Sequence, residues 1–335
     1  MIIRLQKIFS RFFLPRHAPL ALCLCLACLA SVPSAGRARS DFNLDVEAHF
    51  NAFMPTLVVK YTVAYRLFWM DIMHLADAVV YATDGEWFNE VTGEWTRAYL
   101  LVFQLDSLEE PSERGKGRYS IHNRLATVLL KPSLDALLFV KRDYMHVDSF
   151  LGKADVNNSE YFSVEGGTHN YFKEDAISGA KTTNMPYFAR IAGQRSEALR
   201  FMKAVSSLYA GGAGNVQAAD KFEISIYTEE AFVPFSVEIF PGLRKIEALE
   251  NDFRAIYFRA MPAPKFHGKG RILAVWIAPF RYVAGMTGNK DLVWMANNTF
   301  DLGMIPIRAD FGLKFGSVRC SLSGIGLEKY FETDL

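Results

Sequence analysis

The sequence predicts a mainly β protein, built on a large antiparallel sheet with one packed amphipathic helix. Three observations predict this class. Apolar and polar residues alternate in many segments, with the period of two that is typical of half-buried strands. Short polar links rich in Gly and Pro separate these segments, which favours antiparallel pairing over crossover helices. Only one stretch has the apolar spacing of an amphipathic helix.

The N-terminus has the layout of a secretory signal peptide, predicted over residues 1–36. Residues 1–40 contain no acidic residue, and four basic residues precede an apolar run over 20–30. Small residues follow through Ser34 and Gly36. Cleavage before Cys28, with lipidation of that residue, is the alternative processing that the residues leave open. In both cases we expect an exported protein, in the periplasm or associated with the outer membrane.

The composition of the remaining chain limits its partners and its redox chemistry. Removal of residues 1–36 leaves 33 basic and 36 acidic residues, a net charge of −3. A weakly acidic protein lacks the charge that nucleic acid binding requires, so no nucleic acid partner is predicted. Cys320 is then the sole cysteine, which excludes an internal disulfide framework and predicts a buried, structural thiol. Residues 41–335 are long enough to form a single β-rich domain with its own core.

The first half of the chain supplies the clearest strands. Between Lys60 and Phe68, the residues Tyr61, Val63 and Tyr65 share one face. Residues 95–106 are apolar on both faces, which predicts a strand covered on both sides. Further strands are expected near 118–131, 136–147, 253–260, 270–279, 291–296 and 311–322.

Another pair of strands follows in the second half. Residues 221–228 place Phe222, Ile224 and Ile226 on one face. Residues 232–240 alternate as well, and Pro234 within them favours an edge position. Pro241 and Gly242 predict a tight turn after this strand.

Two segments depart from the strand pattern. Residues 196–209 carry apolar side chains three apart and precede Gly211, which predicts the one helix. Residues 150–190 are rich in Asn, Gly, Ser and Thr, and are expected to form irregular hairpins or a long excursion.

No arrangement of residues in the sequence predicts catalysis, a metal or a cofactor. The histidines do not stand in pairs with metal-ligand spacing. The best cluster is Asp143, His146 and Asp148, but on a strand Asp143 would face away from the other two. A Gly-x-Ser-x-Gly nucleophile motif is also missing. We therefore predict a protein that is not an enzyme, with no cofactor.

Several of these segments resemble the bacterial domain-of-unknown-function family numbered 3108. The resemblance covers about residues 55–325 and is carried by 60–68, 99–107, 121–131, 137–143, 204–209, 292–297, 304–309 and 315–322. It implies an exported envelope protein whose antiparallel sheet is strongly curved, similar to the half-barrel that carries lipid-linked cargo in lipoprotein sorting. It implies no catalytic residues.

The expected function is binding of an apolar or lipid-like ligand on the concave face of the sheet. The residues predicted to line that face are Tyr61, Val63, Tyr65, Phe222, Ile224 and Ile226. The alternative is an envelope assembly or scaffolding protein that acts on a protein partner through its surface and sheet edges. The scaffolding alternative is favoured if these six residues are packed against other side chains of the protein instead of lining an open cavity.

Overall fold

The computed structural model contains one antiparallel sheet of 15 strands. It describes residues 49–53, 55–67, 70–89, 92–107, 118–131, 133, 135–149, 152–165, 168–183, 221–228, 231–262, 273–298, 303–312 and 316–328. The strands are β1 (Phe50–Ala52), β2 (Thr56–Leu67), β3 (Met70–Asn89), β4 (Glu94–Ser107), β5 (Arg118–Leu130), β6 (Ala136–Ser149), β7 (Gly152–Glu165), β8 (Thr168–Asp175), β9 (Ala180–Thr183), β10 (Lys221–Thr228), β11 (Ala231–Ala248), β12 (Asn251–Pro262), β13 (Leu273–Pro279), β14 (Met304–Gly312) and β15 (Ser317–Glu328).

The strand order joins two sequential runs through a pairing between the two ends of the chain. The run from β2 to β9 and the run from β10 to β15 each pair neighbour to neighbour. Strand β15 then pairs with β2, from Ser317 opposite Arg66 to Glu328 opposite Thr56. Strand β1 pairs with β3 beside this path. Within the described residues, β9 and β10 are the two outer strands and do not pair with each other.

The sheet is strongly curved in its C-terminal part. Strands β11 and β15 lie four ladder steps apart, which would separate them by about 19 Å in a flat sheet. Their Cα atoms nevertheless come within 8 Å of each other. The prediction of a mainly β protein with a large, curved antiparallel sheet is therefore confirmed.

A main hydrophobic core lies on one face of the sheet and draws on both runs of strands. It includes Tyr61 and Phe103 from the N-terminal run, and Phe235, Phe258 and Ile307 from the C-terminal run. A second core lies on the opposite face of β4, β5 and β6, with Leu100, Val128 and Leu138 among its members. Strand β4 is buried on both faces, as its continuous apolar sequence predicts.

Two short helices, α1 (Phe280–Thr287) and α2 (Lys290–Asn298), follow β13. The prediction of a strand over 291–296 is wrong, because α2 covers these residues. The Asn289 side chain begins α2: its Oδ1 accepts the backbone N–H groups of Asp291 and Leu292, at 3.0 and 3.2 Å. None of the described helices is long and apolar enough to cross a membrane.

Irregular pairing explains most of the remaining strand errors. The period-two pattern does not predict β3, because the register of β3 against β2 shifts twice, opposite Val63 and opposite Tyr65. Pro241 and Gly242 do not form a turn, because β11 continues through them with a register shift and a φ of 75° at Gly242. Residues 152–183 hold three regular strands and no long excursion.

The edge position predicted from Pro234 is also wrong. Strand β11 lies between β10 and β12, so it is an inner strand. Pro234 pairs with Ser225 of β10, whereas the β12 ladder begins only at Phe235. Pro234 therefore lies one residue outside the described β12 ladder and has a strand neighbour on one side only.

Two predicted segments lie outside the described residues. They are the signal peptide over 1–36 and the amphipathic helix over 196–209.

Candidate functional site

The three predicted ligand-binding residues on β2 are buried. Tyr61 and Val63 belong to the main core, and Tyr65 is buried next to them. The Tyr61 hydroxyl donates a hydrogen bond to the backbone carbonyl of Pro306 on β14, at 3.2 Å. Because side chains alternate along β2, Lys60 is exposed on the face opposite to Tyr61 and Val63, as the sequence predicts.

The three predicted residues on β10 are linked to β2 by the sheet register. Phe222, Ile224 and Ile226 pair with Val237, Phe235 and Val233 of β11. The row through Phe222 continues across the sheet as Val237, Ala260, Leu273, Phe311, Val318 and Tyr65. The six predicted positions therefore lie on one face, with the two groups separated by six ladder steps. The side chains of the β10 residues lie outside the described part.

Helices α1 and α2 cover part of this face. Helix α1 contacts β13 and β14, and α2 contacts β15, which is the neighbour of β2. Their buried side chains join the core that contains Tyr61 and Val63. These side chains are Phe280, Val283, Ala284, Leu292, Met295 and Ala296. On β2 the predicted ligand face is thus occupied by the protein's own side chains.

A buried polar cluster lies farther along the same face, on β5, β6 and β7. Lys141 Nζ lies 2.5 Å from Asp143 Oδ2 and 3.9 Å from Glu160 Oε2. Asp143 pairs in register with Asn123 and Asn158, which are also buried. The Oδ1 atoms of both amides have no hydrogen-bond partner. Sequence analysis missed this cluster because it considered Asp143 only with His146 and Asp148 of the same strand, whereas the cluster joins residues of three strands.

His146, in contrast, lies on the opposite face and bonds a residue of the next strand. Its Nδ1 is 2.5 Å from Asp155 Oδ1 of β7, and the side chain is 40% exposed. The predicted opposition of Asp143 and His146 is thereby confirmed. The described residues hold no group of three or more His, Cys, Asp or Glu side chains arranged to bind a metal.

A hydrogen-bonded chain of Ser120, His122 and Asp106 lies on that same opposite face. Ser120 Oγ is 2.8 Å from His122 Nε2, and His122 Nδ1 is 2.9 Å from Asp106 Oδ1. Arg124 Nη1 donates to both oxygens of Asp106, at 2.9 and 3.0 Å. Sequence analysis missed the chain because Asp106 comes from β4. The available signal was the Ser-x-His spacing, which places both residues on one face of β5.

This chain has the bonding order of a Ser-His-Asp nucleophile, but among the described residues it lies on an exposed strand surface. Catalytic triads also require N–H donors aimed at the developing oxyanion. Ser120 lies within β5, where it pairs in register with His146 of β6. The side chains of His122 and Asp106 are 40% and 41% exposed, so water competes for them. The arrangement is best described as a cross-strand polar network on the sheet surface.

Comparisons with known proteins indicate no catalytic family. No family model matches the chain, and no curated protein does. Among solved structures it is similar to a crystal structure described as a β-barrel-like protein of domain of unknown function DUF1849 from Brucella abortus. The two share 10% identity with a TM-score of 0.40, over 82% of this chain and 99% of the other. None of these comparisons tests the resemblance to the 3108 family, which stays a prediction.

Proposed function

We propose that this protein is a non-catalytic, exported protein of the bacterial cell envelope that acts through its outer surface, as an assembly or scaffolding component. The single observation that carries the proposal is the packing of the predicted ligand face at Tyr61 and Val63. A carrier site must be concave and open enough to bury most of its ligand. Here the same side chains contribute to the core that holds the two runs of strands together.

The polar clusters support the non-catalytic part of the proposal. Lys141 forms ion pairs with Asp143 and Glu160 in a buried group on the core side of the sheet. The Ser120 chain lies on an exposed strand surface. Among the described residues, neither arrangement combines a nucleophile, a base and a water-excluding cleft, which hydrolytic chemistry requires together.

The second candidate function is binding of an apolar or lipid-like ligand. It is favoured by the unbroken register row from Phe222 to Tyr65, which lines up apolar residues across seven strands. In this case the ligand would lie at β10, because the rest of the row, from Val237 of β11 to Phe311 of β14, is packed into the main core.

Native mass spectrometry of the mature protein, released from the periplasm without detergent, distinguishes the two functions. We expect the mass of a chain that begins after residue 36, with no adduct in the lipid range. A reproducible lipid-range adduct would overturn the scaffolding proposal in favour of the carrier. Retention of residues 1–36 in a cytoplasmic protein would overturn export.

A matched pair of core variants sharpens this test. Val63→Ala and Val237→Ala each remove buried methyl groups from the same core, on β2 and on β11 next to β10. For a scaffold, both variants lose about 1–3 kcal/mol of unfolding free energy, and the native mass spectrum stays free of adducts. For a carrier, an adduct is present in the wild type, and Val237→Ala reduces it more than Val63→Ala.

A further inference from the structure

Two methionine side chains near the start of β3 are exposed to solvent. Met70 is 50% exposed and Met73 is 39% exposed, and Ile72 between them is 52% exposed. Among the described residues, β4 pairs with β3 only from Ala76 onward, so this segment lies at the edge of the sheet. Single exposed apolar residues are ordinary on protein surfaces, whereas a group of adjacent ones is informative.

A β-bulge places the two methionines on one face of the strand. Residues three apart on a regular strand point to opposite faces. Here Met73 lies opposite Tyr65 of β2. Met70 lies opposite Leu67, only two residues farther along β2, and Ile72 is the extra residue of the bulge. Because residues two apart on β2 share a face, their partners share it as well, and the two methionines are neighbours.

The other methionines that the structure describes are less accessible. Met295 and Met304 are 1% and 3% exposed and belong to the main core. Met261 and Met286 are half-buried. An oxidant must reach the thioether sulfur in order to react with it, so exposure decides which methionines are oxidised first.

We propose that Met70 and Met73 form a reversible oxidation site, at which peroxides convert an apolar surface into a polar one. The thioether sulfur attacks one peroxide oxygen, the O–O bond breaks, and a sulfur–oxygen bond forms. The sulfur is thereby oxidised to a sulfoxide, and hydrogen peroxide is reduced to water. Methionine sulfoxide reductases restore the thioether: two thiols are oxidised to a disulfide, and the oxygen leaves as water.

Oxidation changes the chemistry of this part of the surface. The sulfoxide is polar, whereas the thioether that it replaces is apolar. Because Met70 and Met73 are neighbours, both changes fall on the same patch, next to Ile72. The apolar attraction that the patch offers should therefore fall with each sulfoxide formed. Exposure governs this reaction, so it does not depend on whether the protein is a scaffold or a carrier.

Limited treatment of the folded mature protein with hydrogen peroxide tests the site. Peptide mass spectrometry gives the oxidation rate of each methionine. We expect Met70 and Met73 to react about tenfold faster than Met295 and Met304, because the latter two are buried. In urea-unfolded protein all four should react at similar rates.

Hydrophobic interaction chromatography measures the change in polarity. Oxidised wild-type protein should elute earlier than untreated protein, and methionine sulfoxide reductase with a thiol should restore the original retention. The double variant Met70→Leu with Met73→Leu keeps the apolar area and removes both sulfurs, so most of the shift should disappear. Met295→Leu is the matched control: it removes a buried sulfur, and peroxide should shift its retention as in the wild type.

Two outcomes would overturn the proposal. The first is oxidation of Met70 and Met73 in the folded protein that is no faster than that of Met295 and Met304. The second is a double variant whose retention shifts as much as that of the wild type. Both outcomes are separable from the proposed function, which depends on the adduct-free native mass.

Discussion

At the residue scale, the sheet brings together side chains that are distant in sequence, and their surroundings decide what they do. Asp106, His122 and Ser120 make the hydrogen bonds of a nucleophilic triad at 2.8 and 2.9 Å. Arg124 also donates hydrogen bonds to Asp106. The Asp106, His122 and Ser120 side chains lie on a strand face that is exposed to water. Hydrogen-bond order alone is thus a weak criterion for catalysis when strands place alternate residues in register.

A fluorophosphonate probe, which labels activated serines, tests this interpretation. We expect no labelling of the mature protein, because His122 and Asp106 lie on an exposed strand face where water competes for their hydrogen bonds. Denatured protein and Ser120→Ala serve as background controls. Labelling of native protein that disappears in Ser120→Ala would contradict the non-catalytic assignment.

Cys320 is a second residue whose behaviour follows from burial. It belongs to the main core, and burial, followed by the negative charge of Asp310, raises the pKa of its thiol well above the usual range. Because the thiolate is the reactive form, the folded protein should hold an inert thiol at neutral and mildly alkaline pH.

The Ellman reagent measures this reactivity directly. At pH 8 we expect native mature protein to react negligibly, and urea-unfolded protein to release one equivalent of thiolate per chain. Raising the pH to 9 should accelerate the unfolded reaction and leave the native protein protected, because the folded pKa lies higher than the unfolded one. Rapid reaction of native protein would show that Cys320 is accessible.

At the element scale, local side-chain chemistry overrides the apolar pattern. The segment 291–296 is short and mostly apolar, so its sequence is compatible with a strand as well as with a helix. The Asn289 side chain resolves this ambiguity by capping the backbone N–H groups of Asp291 and Leu292. Leu292, Met295 and Ala296 then fall on one buried face at helical spacing.

Loss of this cap should weaken the helix. We expect Asn289→Ala to lower the free energy of unfolding by about 1 kcal/mol, and Asn289→Ser to preserve most of it, because Ser also accepts the orphan N–H groups. Urea unfolding measured by far-ultraviolet circular dichroism gives both values. Equal stability of the Ala and Ser variants would show that the cap contributes nothing measurable.

At the scale of the whole molecule, the ladder between β15 and β2 connects the beginning and the end of the folded chain. Eleven residue pairs form this ladder, from Arg66 opposite Ser317 to Thr56 opposite Glu328. The main core crosses it, with Val63 on one side and Cys320 on the other. We therefore infer that the two runs of strands unfold together, as the single domain predicted over 41–335.

Equilibrium unfolding in urea tests this cooperativity. Trp87 and Trp95 report on the N-terminal run, and Trp276 and Trp294 report on the C-terminal part. The tryptophan fluorescence and circular dichroism transitions should coincide, as expected for all-or-none unfolding. Replacing Trp276 and Trp294 with Phe leaves tryptophan fluorescence as a probe of the N-terminal run. If the fluorescence midpoint of this variant differs from its circular dichroism midpoint, the two runs unfold as independent units.

The sequence by itself determined the mainly β class, most of the strands and the facing of Tyr61, Val63 and Tyr65. These properties are local: side-chain period fixes the face, and burial of Cys320 follows from its apolar strand context. The prediction depends on an uninterrupted period of two. A bulge interrupts this period in β3 opposite Val63, and there the pattern does not predict the strand.

Only the tertiary structure decided which distant residues meet. Three features join positions from separate elements. They are the pairing of β15 with β2, the packing of α1 and α2 on the predicted ligand face, and the hydrogen-bonded chain from Asp106 to Ser120. Alternation specifies a face but not the strand that lies beside it, nor what covers that face. The sequence could thus nominate a concave surface, whereas the filling of that surface at Tyr61 follows from long-range register and packing.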